Sequence, residues 1–227
     1  MESEVNGILL AAHELKAPLS VLRQLALSLE IDDTKNKYLR SEMISVSERA
    51  IKQVNDLTKI ARLEDGLFHM EPVAVCAVCD EVVRELTYLF NYNRRELFIK
   101  YSNHFKLVMA NPDLLYSVIY NFLLNAIHYS GEKTRSELRV REHHGKIRIN
   151  IRDFGPTLPF DVWRELKRGW LEKPTSIAMR PGSSGLGLYI ASKFSRYMNA
   201  TVGAVRHRDG TSFFIDLPIS MQARLFV

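Results

Sequence analysis

The sequence has 227 residues, of which 46% are hydrophobic and 25% are charged, and its net charge is +5. These values are typical of globular domains and exclude a disordered, highly charged chain. The basic residues are scattered and not interleaved with aromatic residues, so we predict that the chain does not bind nucleic acid. Only two cysteines are present, which excludes a disulfide-rich scaffold and favours a reducing compartment.

The first third of the chain predicts a helical hairpin. Apolar residues from Ile8 to Leu29 recur at alternating steps of four and three, which is a heptad seam. Residues 31–36 interrupt this pattern and predict a turn, with Asp33 or Thr34 as the N-cap of a second helix. A second seam runs from Leu39 to Ile60. Because apolar residues flank both seams, we expect two hairpins to pair as a four-helix bundle in a homodimer.

The pattern changes near residues 66–72 and predicts two domains, a hairpin over residues 1–67 and a mixed domain over residues 68–227. The fold class is therefore α+β. In the second domain we expect helices that start at Cys76, after the cap Asn111, and at Leu186. Predicted strands cover residues 73–75, 97–101, 106–109, 138–140, 146–153, 201–206 and 212–217, with a hairpin turn at His144–Gly145.

His13 is the first candidate for chemistry. In the heptad pattern Ala12 and Leu15 face the seam, which places His13 on the outer face of its helix. A neutral imidazole nitrogen can attack phosphorus, and the adjacent Glu14 carboxylate can hold the proton of the other ring nitrogen. An ordinary surface histidine is the alternative.

Asn121 and Asn125 lie four residues apart on a predicted helix that is otherwise mostly apolar, so their amides share one face. Buried amides are costly unless a ligand or a partner satisfies them. A magnesium–triphosphate group would do so, because Mg²⁺ prefers oxygen ligands. A pair of exposed amides is the alternative.

Two glycine-containing segments follow. Asp153 ends a predicted strand, where its carboxylate could accept a hydrogen bond from an adenine amino group, and Gly155 lets the backbone pass close to a base. Residues 181–187 are small and lead into an apolar helix whose N-terminal amides favour phosphate. A plain turn and an isolated glycine-rich loop are the respective alternatives.

In this order, these segments resemble the H, N, G1 and G2 boxes of sensor histidine kinases. The resemblance implies a dimerisation and histidine-phosphotransfer hairpin followed by an α/β sandwich ATP-binding domain of the GHKL type. It also implies autophosphorylation of His13 by ATP and Mg²⁺, and phosphotransfer to an aspartate of a response regulator. It makes Asn125 the magnesium ligand. The implied nucleotide-binding residues are Asn121, Asn125, Tyr129, Asp153, Gly155, Gly185, Leu186, Gly187 and Thr211.

The sequence also departs from the family pattern. Ala17 stands where the family has Thr or Asn, which puts phosphatase activity in doubt, and His128 stands where it commonly has Lys or Arg. Thr157 replaces the second glycine of the G1 box and predicts a stiffer loop, and Ser183 replaces the first glycine of the G2 box. These departures leave open a pseudokinase or dimeric scaffold. A GHKL-type ATPase is disfavoured, because those enzymes place a glutamate where Asn121 stands.

No apolar run long enough to span a membrane and no signal pattern is present, so the sequence as given predicts a cytoplasmic protein. Residues 155–185 are irregular, and we interpret them as a mobile lid over the nucleotide. The first helix has no clear N-cap. We therefore hypothesise that a sensor region, with or without membrane spans, precedes it in the full-length protein.

Overall fold

The computed structural model describes residues 18–25, 27, 29, 33–102, 106–131, 134–158, 160, 163–164, 167 and 186–220. The chain forms two compact units, Met1–Glu64 and Asp65–Val227. In the first unit residues 18–25 are helical, and helix α1 spans Asp33–Ala61. The prediction that Asp33 or Thr34 caps this helix is wrong, because both lie inside it. An aspartate is favourable in a first helical turn, where its charge meets the positive end of the helix dipole.

The second unit is a mixed α and β domain, which confirms the α+β class for this part of the chain. A 3₁₀ turn, Leu63–Asp65, precedes it. Its helices are α2 (Val75–Tyr92), α3 (Pro112–Tyr129) and α4 (Leu186–Tyr197). Its strands are β1 (Glu71–Val73), β2 (Glu96–Tyr101), β3 (Val108–Ala110), β4 (Arg135–His143), β5 (Lys146–Asp153), β6 (Thr201–His207) and β7 (Gly210–Pro218).

Local capping explains several of these boundaries. Asn111 caps α3 as predicted, since its Oδ1 accepts a hydrogen bond from the Leu114 amide at 3.1 Å and Pro112 is the first helical residue. Helix α4 ends two residues earlier than predicted, because Asn199 adopts a left-handed φ of 52° that stops the helix. The strand predicted at residues 73–75 lies two residues earlier, since Val75 already begins α2.

Five strands form the main sheet in the order β2-β4-β5-β7-β6, with β2 parallel to β4 and the other pairs antiparallel. β1 and β3 form a separate antiparallel pair. The predicted turn between β4 and β5 is confirmed. His144 and Gly145 have φ values of 48° and 72°, the left-handed pair that a tight hairpin turn requires.

The sheet has two unlike faces, which the alternation along β5 makes clear. Ile147, Ile149 and Ile151 are buried on the inner face, which the helices cover. Phe122 of α3 stacks on Phe213 of β7 there, with ring centroids 5.7 Å apart. The intervening residues, such as Arg148, point to the outer face and are only partly buried. None of the helices in the described ranges is both long and apolar enough to cross a membrane.

Candidate functional site

A polar flank runs along helix α3. Asn121, Asn125 and Tyr129 follow one another at four-residue steps, so they lie on the same side of a helix whose other residues are mostly buried and apolar. The Asn121 Nδ2 donates to the Ser117 carbonyl oxygen at 2.8 Å. This bond orients the amide so that its Oδ1 faces Gly187 at the start of α4. A Cβ at Gly187 would lie 2.9 Å from that oxygen.

Asn125 presents an unsatisfied hydrogen-bond donor. Its Nδ2 is buried and has no hydrogen-bond partner within the described part of the chain. A buried donor without an acceptor costs about 1–3 kcal/mol, so native proteins keep such groups where a ligand or a water molecule can accept. At this position no side chain among the described residues supplies the acceptor.

Asp153 is held rigidly at the end of β5. The residue is only 3% exposed, and its Oδ1 accepts hydrogen bonds from the backbone amides of Gly155 and Thr211, both at 3.1 Å. Bonds from amides to a carboxylate are charge-assisted and stronger than those between neutral groups. The carboxylate therefore has a fixed position and direction.

Two glycines allow the backbone to close around this carboxylate. A Cβ at Gly155 would lie 2.0 Å from the carbonyl oxygen of Tyr129, so the turn after β5 presses directly on the last turn of α3. Gly210 has a φ of 145°, and a Cβ there would lie 2.1 Å from the Asp153 carbonyl oxygen. Side chains at either position would separate the segments that hold Asp153.

Thr157 ties the segment after β5 to the β6–β7 hairpin. Its hydroxyl donates to the His207 carbonyl oxygen at 2.8 Å, with the Arg208 carbonyl oxygen at 3.3 Å. The neighbouring Leu158 amide donates to the hydroxyl of Thr211 at 3.3 Å. These bonds restrain the segment, in keeping with the stiffness expected of threonine in place of glycine.

The predicted residues that are described fall into one connected region. The Asn121 side chain lies against Gly187, and the Tyr129 carbonyl oxygen lies against Gly155. The Thr211 amide donates to the Asp153 carboxylate. Leu186, the first residue of α4, is buried. His13, Glu14 and Gly185 lie outside the described residues, as does most of the predicted lid.

Sequence reasoning did not single out Ser117, the partner of the Asn121 amide. The acceptor is the backbone carbonyl oxygen, which every residue carries, so the side-chain pattern holds no signal for this bond.

Comparison with known proteins agrees with this arrangement. Residues 110–221 match the family model "Histidine kinase-, DNA gyrase B-, and HSP90-like ATPase". The chain is 24% identical over 223 residues to the sensor protein kinase WalK of Staphylococcus aureus, covering 91% of this chain. It spans 52% of that WalK sequence and 35% of WalK from the JH9 strain.

Solved structures share the fold. The histidine kinase AdeS of Acinetobacter baumannii superposes with a TM-score of 0.66 at 17% identity, covering 92% of this chain and 98% of AdeS. Full-length ShkA in complex with AMPPNP gives 0.63 at 21% identity, covering 96% of this chain and 46% of ShkA. ThkA in complex with the response regulator protein TrrA gives 0.65 at 16% identity, covering 92% of this chain and 60% of ThkA. Residues 110–221 thus match the ATPase family, and this match, the WalK relatives and the shared fold together support a sensor histidine kinase catalytic core.

Proposed function

We propose that the chain binds ATP at the α3 flank and transfers its γ-phosphoryl group to His13. The observation that carries this proposal is the pair formed by a buried carboxylate and an unsatisfied amide. Asp153 is fixed by two backbone amides, and the Nδ2 of Asn125 is buried without an acceptor in the described residues. A nucleotide has a base that can donate to the first and phosphates that can accept from the second.

Adenine recognition rests on Asp153. We propose that the carboxylate accepts a further hydrogen bond from the exocyclic amino group of the base, and a base that lacks this donor loses that charge-assisted bond. Gly155 lets the turn that holds this carboxylate pack against the end of α3, since any side chain there would collide with the Tyr129 carbonyl oxygen.

A magnesium ion fits the residues present, because the Asn125 side chain offers an oxygen atom and Mg²⁺ prefers oxygen ligands. Within the described residues no three His, Cys, Asp or Glu side chains gather as a metal cage. Mg²⁺ in nucleotide sites needs few protein ligands, because phosphate oxygens and water complete its octahedron. We propose the Asn125 side-chain oxygen as its protein ligand, with the Nδ2 directed at a phosphate. Bound magnesium would neutralise phosphate charge, while Asn121 and Gly187 shape the wall of the site.

The transfer itself is an in-line displacement. A ring nitrogen of His13 attacks the γ-phosphorus, a nitrogen–phosphorus bond forms, and the bond to the β–γ bridging oxygen breaks, so that ADP leaves with the electron pair. Glu14 holds the proton on the other ring nitrogen and stabilises the positive charge that develops on the imidazole. Positioning and charge neutralisation supply most of the catalysis.

We also propose a division of the chain into two domains and a final acceptor for the phosphoryl group. Residues 1–67 would form the dimerising hairpin that displays His13, and residues 68–227 the ATP-binding domain. The phosphoryl group would then pass to an aspartate of a response regulator in the cytoplasm. The solved complex of ThkA with the response regulator protein TrrA, whose kinase shares this fold, supports that partner class.

Labelling with γ-³²P ATP and Mg²⁺ tests the proposal. We expect label that is labile in acid and stable in alkali, as a phosphohistidine is. His13→Ala should abolish it, while ATP binding measured by calorimetry stays unchanged. Asn125→Ala should weaken binding of Mg·ATP by at least about tenfold, because it removes a proposed metal ligand and a phosphate donor.

Two matched variants serve as controls. His69→Ala and Asn91→Ala remove an exposed histidine and an exposed amide from elsewhere in the chain, and both should label like the wild type. Label that persists in His13→Ala would disprove the acceptor assignment. Nucleotide binding without labelling would instead favour the pseudokinase, to which the departures at Ala17 and His128 point.

A further inference from the structure

A basic groove lies on the outer face of the sheet, opposite the helices. It has a volume of about 500 Å³ and takes side chains from strands β4, β5, β6 and β7 and from the end of β2. No carboxylate is among the described residues that line it. Its cationic side chains are those of Lys100, Arg139, Arg141, Arg148 and Arg152, and the His207 ring lies at one end.

The sheet register sets like charges directly against each other in this groove. Lys100 is the cross-strand partner of Arg139, and Arg141 is the partner of Arg148. Like charges at opposing positions destabilise a sheet, because their side chains are within about 5 Å of each other at the Cβ atoms. Asp216, Asp209 and Glu137 pair with three of the cations, and a charge-neutralising ligand would offset the repulsion that remains.

Three of the cations are held in place by carboxylates of the protein. Arg148 makes a bidentate pair with Asp216, with nitrogen–oxygen distances of 2.6 and 2.7 Å, and its guanidinium lies 3.8 Å from the centre of the Phe214 ring. Arg152 donates to Asp209 at 2.7 Å, and Arg139 donates to Glu137 on its own strand. All three guanidinium groups are thus positioned in advance, which lowers the entropy cost of binding an anion.

Lys100 and Arg141 make no ion pair within the described ranges. Both side chains are exposed, and they lie on adjacent strands beside the positioned Arg148. Their charges are therefore the ones available to a ligand. Guanidinium groups bind phosphate oxygens in a bidentate way, and several cations around one cavity favour a ligand with several phosphates.

We propose that this groove binds a small molecule carrying several phosphate groups, at a site separate from the candidate ATP site. The volume is within the range of small-ligand pockets, roughly 300–1,000 Å³. The groove residues point outward from β5, whereas Asp153 belongs to the buried inner series of the same strand. The two sites thus occupy opposite faces of one sheet.

Calorimetric titration of the full chain with inorganic triphosphate, in buffer without Mg²⁺, tests this inference. We expect saturable one-to-one binding that weakens as salt is raised. Arg141→Ala and Lys100→Ala should each weaken it by about tenfold, the effect of losing one charge-assisted contact. Both residues are exposed, so the variants should fold, and unfolding curves check this.

A matched variant decides the location. Arg84→Ala removes an exposed arginine from α2 and should bind triphosphate like the wild type. The proposal is overturned by equal weakening in Arg84→Ala, by unchanged binding in both Lys100→Ala and Arg141→Ala, or by no binding at millimolar triphosphate. Preferential binding of an oligonucleotide over triphosphate would also overturn it, since the surface would then serve a polymeric anion.

Discussion

His207 makes the stability of the β6–β7 hairpin depend on pH. The ring is partly buried, its Nε2 lies 2.8 Å from the Ser212 hydroxyl, and Arg152 is close. Burial and the Arg152 guanidinium lower the pKa of His207 below its ordinary value of 6.5, and Asp209 offsets this only in part. The unfolded chain therefore binds a proton at a higher pH than the folded chain does.

We predict that His207→Gln reduces the loss of stability on acidification. As pH falls below 6.5, the unfolded wild type takes up more protons than the folded protein, so the free energy of unfolding decreases. Glutamine does not titrate, so the variant should show a shallower decrease. Urea unfolding between about pH 5 and pH 8 measures both slopes. Parallel curves for the two proteins would contradict the assignment.

At the residue scale, the sequence predicted which side chains lie on the same helix flank, but it did not predict all of the hydrogen bonds around the site. The spacing of Asn121 and Asn125 was sufficient to place both on one helical flank, because helical periodicity is local. The hydrogen bond from Thr157 to His207 joins residues 50 positions apart. No local pattern contains that contact, which depends on how the sheet brings the β6–β7 hairpin beside the turn after β5.

At the scale of elements, the packing of the turn after β5 against the end of α3 depends on Gly155. We predict that Gly155→Ala lowers the free energy of unfolding by at least about 1–3 kcal/mol. Its Cβ would lie 2.0 Å from the Tyr129 carbonyl oxygen, a backbone atom that cannot rotate away. Gly131→Ala is the matched control. A Cβ there meets only the Thr134 methyl at 3.5 Å, so the change should stay within about 0.5 kcal/mol. Equal denaturation midpoints for the two variants would refute the close contact.

The sequence predicted the ends of a strand accurately where one face of that strand is strictly apolar. Strand β5 alternates isoleucine with polar residues and was predicted at its observed bounds, residues 146–153. Strand β4 runs from Arg135 to His143, longer at both ends than the predicted residues 138–140. Its charged residues line the outer basic groove or form ion pairs with neighbours on the same strand, so they hide the alternation on which the prediction depends.

At the scale of the whole molecule, the first unit leaves apolar side chains in solvent. Leu19 is 58% exposed, Leu27 76%, Ile51 60% and Val54 41%, whereas Val46 and Ala50 on α1 are buried. Exposed large apolar side chains that recur along both helical segments of the first unit favour an interface with another molecule. The heptad seams predicted from sequence include Leu19, and Ile51 and Val54 widen the second seam, which supports the proposed dimer of hairpins.

We predict that Ile51→Glu or Val54→Glu dissociates this dimer. Burying one such side chain contributes about 1.5–3 kcal/mol, and a twofold-symmetric interface loses the contribution twice, so the dimer dissociation constant should rise by at least about a hundredfold. Asn91→Glu adds the same charge at an exposed polar position in the second unit, away from this apolar surface, and should leave the association unchanged. Sedimentation equilibrium measures all three variants. A wild-type chain that is monomeric at every concentration would reject the dimer, and dissociation by Asn91→Glu would attribute the effect to added charge rather than to the apolar surface.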